Sequence, residues 1–137
     1  MATERVLYWD ASAILSALAQ DSHTEDARKR LTPGTQHLVS SLAHAEVLAV
    51  LARMEREGRA QAEEISLARK AFGSGPWRRL GGVPQTETTE ELSRRHPLRG
   101  ADLWHLAMAV SLRPELPELR ILTYDTRLGE SAKKEGL

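Results

Sequence analysis

Apolar residues along this chain gather in short unbroken runs and in longer stretches spaced at helical intervals, and the two kinds of segment alternate. Arg5 to Trp9 is a short run, apolar, β-branched and aromatic, stopped by Asp10, which predicts a buried strand. Ala11 to Gln20 sets Ile14, Leu15 and Leu18 on one side, a helix, and His23 to Leu31 predicts a second short one before the turn Thr32-Pro33-Gly34-Thr35. His37 to Ser40 reads as a short strand, after which Ser40 or Ser41 caps a long helix that Gly58 ends. Ala60 to about Phe72 carries the stripe Ile65, Ala68 and Phe72, so these two helices form a hairpin, and Gly73-Ser74-Gly75-Pro76 breaks the pattern.

The second half repeats this alternation. Leu80 to Val83 contains Gly81 and Gly82 and makes a poor strand. Pro84 to Arg95 predicts an exposed helix with Glu87, Glu90 and Glu91 early and Arg94 and Arg95 late, the charge order that the helix dipole favours. Leu98 to Leu112 is a strongly apolar helix, Leu119 to Tyr124 a strand, and Thr126 to Leu137 an amphipathic helix with Leu128 and Ala132 facing inward. Strands alternating with helices predict an α/β sandwich around a mostly parallel sheet, and residues 1–137 hold no interdomain linker or repeat.

Composition narrows the function. Lys plus Arg and Asp plus Glu are 19 each, so the formal net charge is zero and bulk positive charge cannot carry nucleic-acid binding. The 137 residues have no cysteine, which excludes disulfides and thiolate metal sites. The start has no apolar leader and no stretch approaches a membrane span, so the expected setting is the cytoplasm.

Four acids interrupt apolar surroundings. Asp10 and Asp125 each end an apolar run, Glu46 is the only acid between Ser41 and Met54, and Asp102 heads the apolar helix after Leu98. Buried charges need a partner, and ligands of parallel α/β sheets bind outside the carboxyl ends of the strands. Strand ends place Asp10 and Asp125 at that edge, and helix starts bring Glu46 and Asp102 there. Oxygen ligands without His or Cys select Mg²⁺ or Mn²⁺, ions suited to phosphodiester hydrolysis.

The segments around these acids, Leu7 to Ala13, Ser41 to Val47, Leu98 to Ala107 and Leu122 to Leu128, resemble PIN-domain ribonucleases, most closely VapC-type toxins of toxin–antitoxin pairs. The resemblance covers essentially the whole chain and implies a single PIN-like domain, a three-layer sandwich with a central sheet of four to five strands. It implies that Asp10, Glu46, Asp102 and Asp125 are the acidic quartet that binds Mg²⁺ or Mn²⁺, with the hydroxyls of Ser12 and Thr123 supporting it. It also implies endoribonuclease activity, often on tRNA or a ribosomal RNA loop, dimerisation, and inhibition by a small antitoxin. The region Trp77 to Val83 is richer in Gly and Arg than the strand the family has there.

Other readings stay open at this stage. Asp10 and Asp125 also suit helix caps, and Asp102 gains from a helix N-terminus without any metal. Arg95 and Arg99, before Asp102, are candidates for steering phosphates; His44, His105 and the three tryptophans read as packing or surface residues. Helix-hairpin residues Leu48, Val50, Leu51, Met54 and Ile65 are candidate grip for a partner helix. The alternative functions are a non-catalytic RNA- or protein-binding scaffold and a metal-dependent phosphatase with Asp10 as nucleophile. The second lacks the usual further Asp two residues on, where this chain has Ser12.

Overall fold

The structure is a computed structural model describing residues 5–137; residues 1–4, part of the start read above for a leader, lie outside the described residues. The elements run β1 (Val6–Trp9), α1 (Ala11–Leu18), α2 (Thr24–Lys29), β2 (Gln36–Ser40), α3 (Ser41–Arg56), α4 (Ala62–Ser74), β3 (Trp77–Leu80), α5 (Thr86–Arg95), α6 (Gly100–Leu112), β4 (Leu119–Leu122) and α7 (Thr126–Lys134). The strands form one sheet in the order β3-β2-β1-β4, with every neighbouring pair parallel. This is the α/β three-layer architecture expected from the alternation of strands and helices.

Register positions the working edge. Trp9 lies opposite both Val39 and Leu122, and Ser40 lies opposite Leu80, so all four strands finish level. The chain steps from β1 to β2 to β3 in one direction and then returns to place β4 on the other side of β1. That reversal opens a crevice between the ends of β1 and β4, where ligands of such sheets bind.

The core divides by the two-residue alternation of β1. Leu7 and Trp9 pack with Ile14, Val47, Leu51, Ile65 and Phe72 beneath α1, α3 and α4. Val6 and Tyr8 face the opposite side and pack with Met108, Ala109 and Leu119. Helix α6 also meets Leu92, Leu128 and Ala132 through Leu106 and Ala107, so it is covered by the sheet on one side and by α5 and α7 on the other. This double coverage explains an apolar sequence wider than one stripe, with His105 to Ala109 all buried.

Several boundaries differ from the expected ones for local reasons. The edge strand is Trp77–Leu80 and stops where the glycines begin, rather than spanning Leu80 to Val83. Helix α4 continues through Gly73 to Ser74, and a Cβ on Gly75 would lie 2.6 Å from the Trp77 ring, so the chain can turn there only with glycine. Strand β4 ends at Leu122, not Tyr124, because the Tyr124 N–H donates to the Ser12 hydroxyl at 3.0 Å. Gly58 ends α3 as expected: its φ is +68°, its N–H donates to the Glu55 carbonyl, and Arg59 N–H donates to Met54. Among the described residues, no helix is long and apolar enough to cross a membrane.

Candidate active site

Asp10 follows β1 and caps α1, accepting from the Ala13 N–H at 2.9 Å. Its Oδ1 also accepts from the Ser12 hydroxyl at 2.7 Å, and its Oδ2 accepts from the Thr123 hydroxyl at 2.5 Å. Each hydroxyl then uses a lone pair on the loop after β4. Ser12 Oγ accepts from Tyr124 N–H, and Thr123 Oγ1 accepts from Asp125 N–H at 3.0 Å. The two side chains thus tie the ends of β1 and β4 together across the crevice, in the places where the sequence put supporting hydroxyls. Asp10 itself is 4% exposed, and burial raises its pKa against the opposing effect of those hydrogen bonds.

Asp125 begins α7 and caps it, accepting from the Leu128 N–H at 2.9 Å. Asp102 stands in the first turn of α6, and Glu46 lies inside α3, just beyond its first turn. Asp102 connects the group electrostatically. Its pKa is raised first by burial and then by the charges of Asp125, Asp10 and Glu46. The fold therefore brings all four predicted acids from four separate elements into one neighbourhood. Among the described residues, no group of three or more His, Asp or Glu is already drawn together to hold a metal ion. The four acids are all oxygen donors, and the repulsion that adds to burial in raising the Asp102 pKa is a cost that a dication held there would remove.

Sequence reasoning missed one member. His105 is buried, donates from Nε2 to Glu46 Oε1 at 2.8 Å, and has Nδ1 2.7 Å from the Tyr8 hydroxyl. Both ring nitrogens are engaged, which keeps His105 out of the ligand set and leaves the site to oxygen donors. The spacing of Asp102 and His105, three residues apart on a helix, was the one available signal, since such residues share a face.

The two candidate phosphate-steering arginines separate. Arg95 is not brought to the carboxylates: it pairs with Glu91 at 3.3 Å and with Glu135 at 3.1 Å, beyond the C-terminal end of α7, whose other end carries Asp125. Arg99 is exposed at the N-cap of α6, one turn before Asp102. On the far side of α3, Leu51 and Ile65 are buried in the core, while Leu67, not singled out by the sequence, is 68% exposed. Leu67 borders a groove with Leu18, Met54 and Arg59.

The sequence matches the PIN domain family over residues 7–134. Two curated relatives, Ribonuclease VapC45 and Ribonuclease VapC49 of Mycobacterium tuberculosis, are each 32% identical over 135 residues, spanning 96% of this chain and 92% of theirs. Among solved structures, the chain is similar to PAE2754 from Pyrobaculum aerophilum, with a TM-score of 0.65 at 19% identity, covering 95% of this chain and 81% of that one. It is also similar to M. tuberculosis VapC20, described as a sarcin-ricin loop cleaving toxin, with a TM-score of 0.60 at 14% identity, covering 91% and 94%. These two likenesses bear on the fold alone.

Proposed function

The chain belongs to the PIN domain family, and on that premise we propose that it is a VapC-type toxin: an endoribonuclease that hydrolyses RNA phosphodiester bonds with Mg²⁺ or Mn²⁺ held by Asp10, Glu46, Asp102 and Asp125. The ribonuclease assignment follows the two VapC relatives that align over nearly the whole chain. The observation that supports the metal reading is the convergence of the four carboxylates around Asp102, whose pKa is raised first by burial and then by the charges of Asp125, Asp10 and Glu46. Carboxylates crowded in this way favour a hard dication over any neutral ligand.

When bound, such an ion supplies charge neutralisation and Lewis-acid polarisation of a phosphoryl oxygen. The protein's own residues do the rest. Ser12 and Thr123 fix the Asp10 carboxylate from two sides and hold the Asp125 loop against it. Arg99, exposed one turn before Asp102, supplies a positive charge for an incoming phosphate. With zero net charge on the chain, RNA recognition relies on shape and a few such contacts, and a structured tRNA or ribosomal RNA loop suits that mode.

The partner is a small antitoxin that places an Arg or Lys among the carboxylates and lays apolar side chains along the groove beside Leu67, Met54 and Leu18. The active form is a homodimer working in the cytoplasm, where both RNA and antitoxin are met. The deciding experiment incubates the purified protein with total tRNA and rRNA in Mg²⁺, Mn²⁺ or EDTA. We expect metal-dependent cleavage, abolished in Asp10→Asn with the circular dichroism spectrum unchanged, since Asn retains an oxygen to accept from Ala13 N–H. Undiminished cleavage by that variant refutes the assignment.

A further inference from the structure

The buried pair Tyr8 and His105 ends on one of the four acids, Glu46. Resting on the metal-dependent reading, we infer that His105 is a positioning residue: its Nε2–H holds Oε1 of Glu46, and Tyr8 fixes the ring behind it, so Glu46 presents its other oxygen in one set orientation.

A carboxylate only accepts hydrogen bonds, so the 2.8 Å contact puts the ring proton on Nε2. Nδ1 lies 2.7 Å from the Tyr8 hydroxyl, which hydrogen-bonds the ring on its other side. Tyr8 lies in β1, fully buried, and burial raises its pKa, so the phenol keeps its proton at any physiological pH. The Tyr8 and His105 rings meet edge to face at 5.8 Å, and Trp104 meets His105 edge to face at 5.6 Å, which limits rotation of the imidazole.

The need for such a device follows from where Glu46 sits. Unlike Asp10 and Asp125, it caps no helix, and its side chain is 33% exposed with three rotatable bonds. Asp10 is held by three donors; Glu46 has His105. Helix α6 thus contributes twice, giving Asp102 directly and, one turn on, the histidine that reaches across to α3. Ligating carboxylates are themselves held by hydrogen bonds from outer groups, which set their orientation and tune affinity.

The test uses the intact chain and Mn²⁺ alone as probe, with affinity measured by titration calorimetry for the parent, H105A, H105Q, Y8F and D10N. We expect H105A to weaken Mn²⁺ binding about 10- to 100-fold, the usual effect of removing such a group. H105Q restores an N–H donor and should recover most of the loss, whatever the two variants' melting temperatures, whereas a packing role would track stability and show no such rescue. Y8F should give a smaller loss, because Nε2–H remains but the ring is no longer fixed. In the metal-free parent, ¹⁵N shifts of the His105 ring should show a protonated Nε2. Parent-like binding in H105A, no rescue by H105Q, or an unprotonated Nε2 would each overturn the inference. If D10N loses Mn²⁺ while H105A keeps it, only this inference falls; if D10N binds as the parent does, the metal reading falls and takes this with it.

Discussion

Replacing Asp102 by Asn removes one charge from the acidic cluster and keeps the side chain's shape, so it isolates the electrostatics on which the site depends. In the folded protein the Asp102 carboxyl is held above its ordinary value of 3.8, first by burial and then by Asp125, Asp10 and Glu46. A raised acid binds more protons folded than unfolded. Its contribution to stability is therefore fully present below the ordinary value and is lost as the pH climbs through the raised one. Without metal, parent and variant should melt together below that value, and the variant should become the more stable as pH rises through the carboxylate range to 7. Asp102 is only half-buried, so water screens the repulsion and the gap stays small. Mn²⁺ should reverse the order. An ion binding only the folded state, at a hundred times its dissociation constant, adds about 2.7 kcal/mol. For 137 residues the unfolding entropy is about 0.29 kcal/mol/K, so the parent's melting point should rise by about 9 °C. Scanning calorimetry at two pH values, with and without Mn²⁺, reads both effects. A parent indifferent to Mn²⁺, or a variant that rises equally, would refute the claim that these carboxylates share an ion.

Two further substitutions separate architecture from chemistry. Asp125→Asn keeps an oxygen for the Leu128 N–H, so its melting point should stay within a degree or two of the parent's while Mn²⁺ affinity falls; Asp125→Ala should lose the same affinity and also about 1 kcal/mol of stability, seen in urea unfolding. A loss of stability in the Asn variant matching that in the Ala variant would show that the cap is not what Asp125 supplies. Leu51→Ala, at a fully buried position of α3, should cost about 2–5 kcal/mol by the same assay, and the folded fraction should retain the parent's Mn²⁺ affinity because Leu51 packs in the hydrophobic core and is none of the four acids.

The fold was legible because each element carried its own local signature. β1 is unbroken apolar chain, α3 and α4 show helical spacing with Gly58 between them, and α7 shows a clear stripe. Legibility failed where tertiary contacts set the boundary. Trp77–Leu80 contains Arg78 and Arg79 and has no strand-like alternation, yet it pairs along β2 as an edge strand, where two exposed arginines are no burden. That the four acids share one neighbourhood was legible because a carboxylate next to apolar chain is expensive wherever it falls. The part of His105 was not, because a histidine in an apolar helix most often simply packs. Its meaning lies in Tyr8, 97 residues away, and Glu46, 59 residues away. Arg95 misled for the same reason: its near neighbours in sequence suggested Asp102, while its partner in space is Glu135, 40 residues on.

Two ways of reading Asp10 and Asp125, as helix caps and as members of an acidic site, stood as competitors in the sequence; the structure shows the caps, and a cap is compatible with the second reading. A residue that follows a parallel strand and starts the next helix lies at the carboxyl edge of the sheet, and the cap uses one oxygen of its carboxylate. The cap then becomes the means of aiming the other oxygen. Asp10 shows this most fully: Oδ1 accepts from the Ala13 N–H and Oδ2 from Thr123, so the helix start and the neighbouring strand together set its direction. Glu46, lying inside α3, cannot be aimed by a cap, and it is the acid to which the structure supplies a histidine.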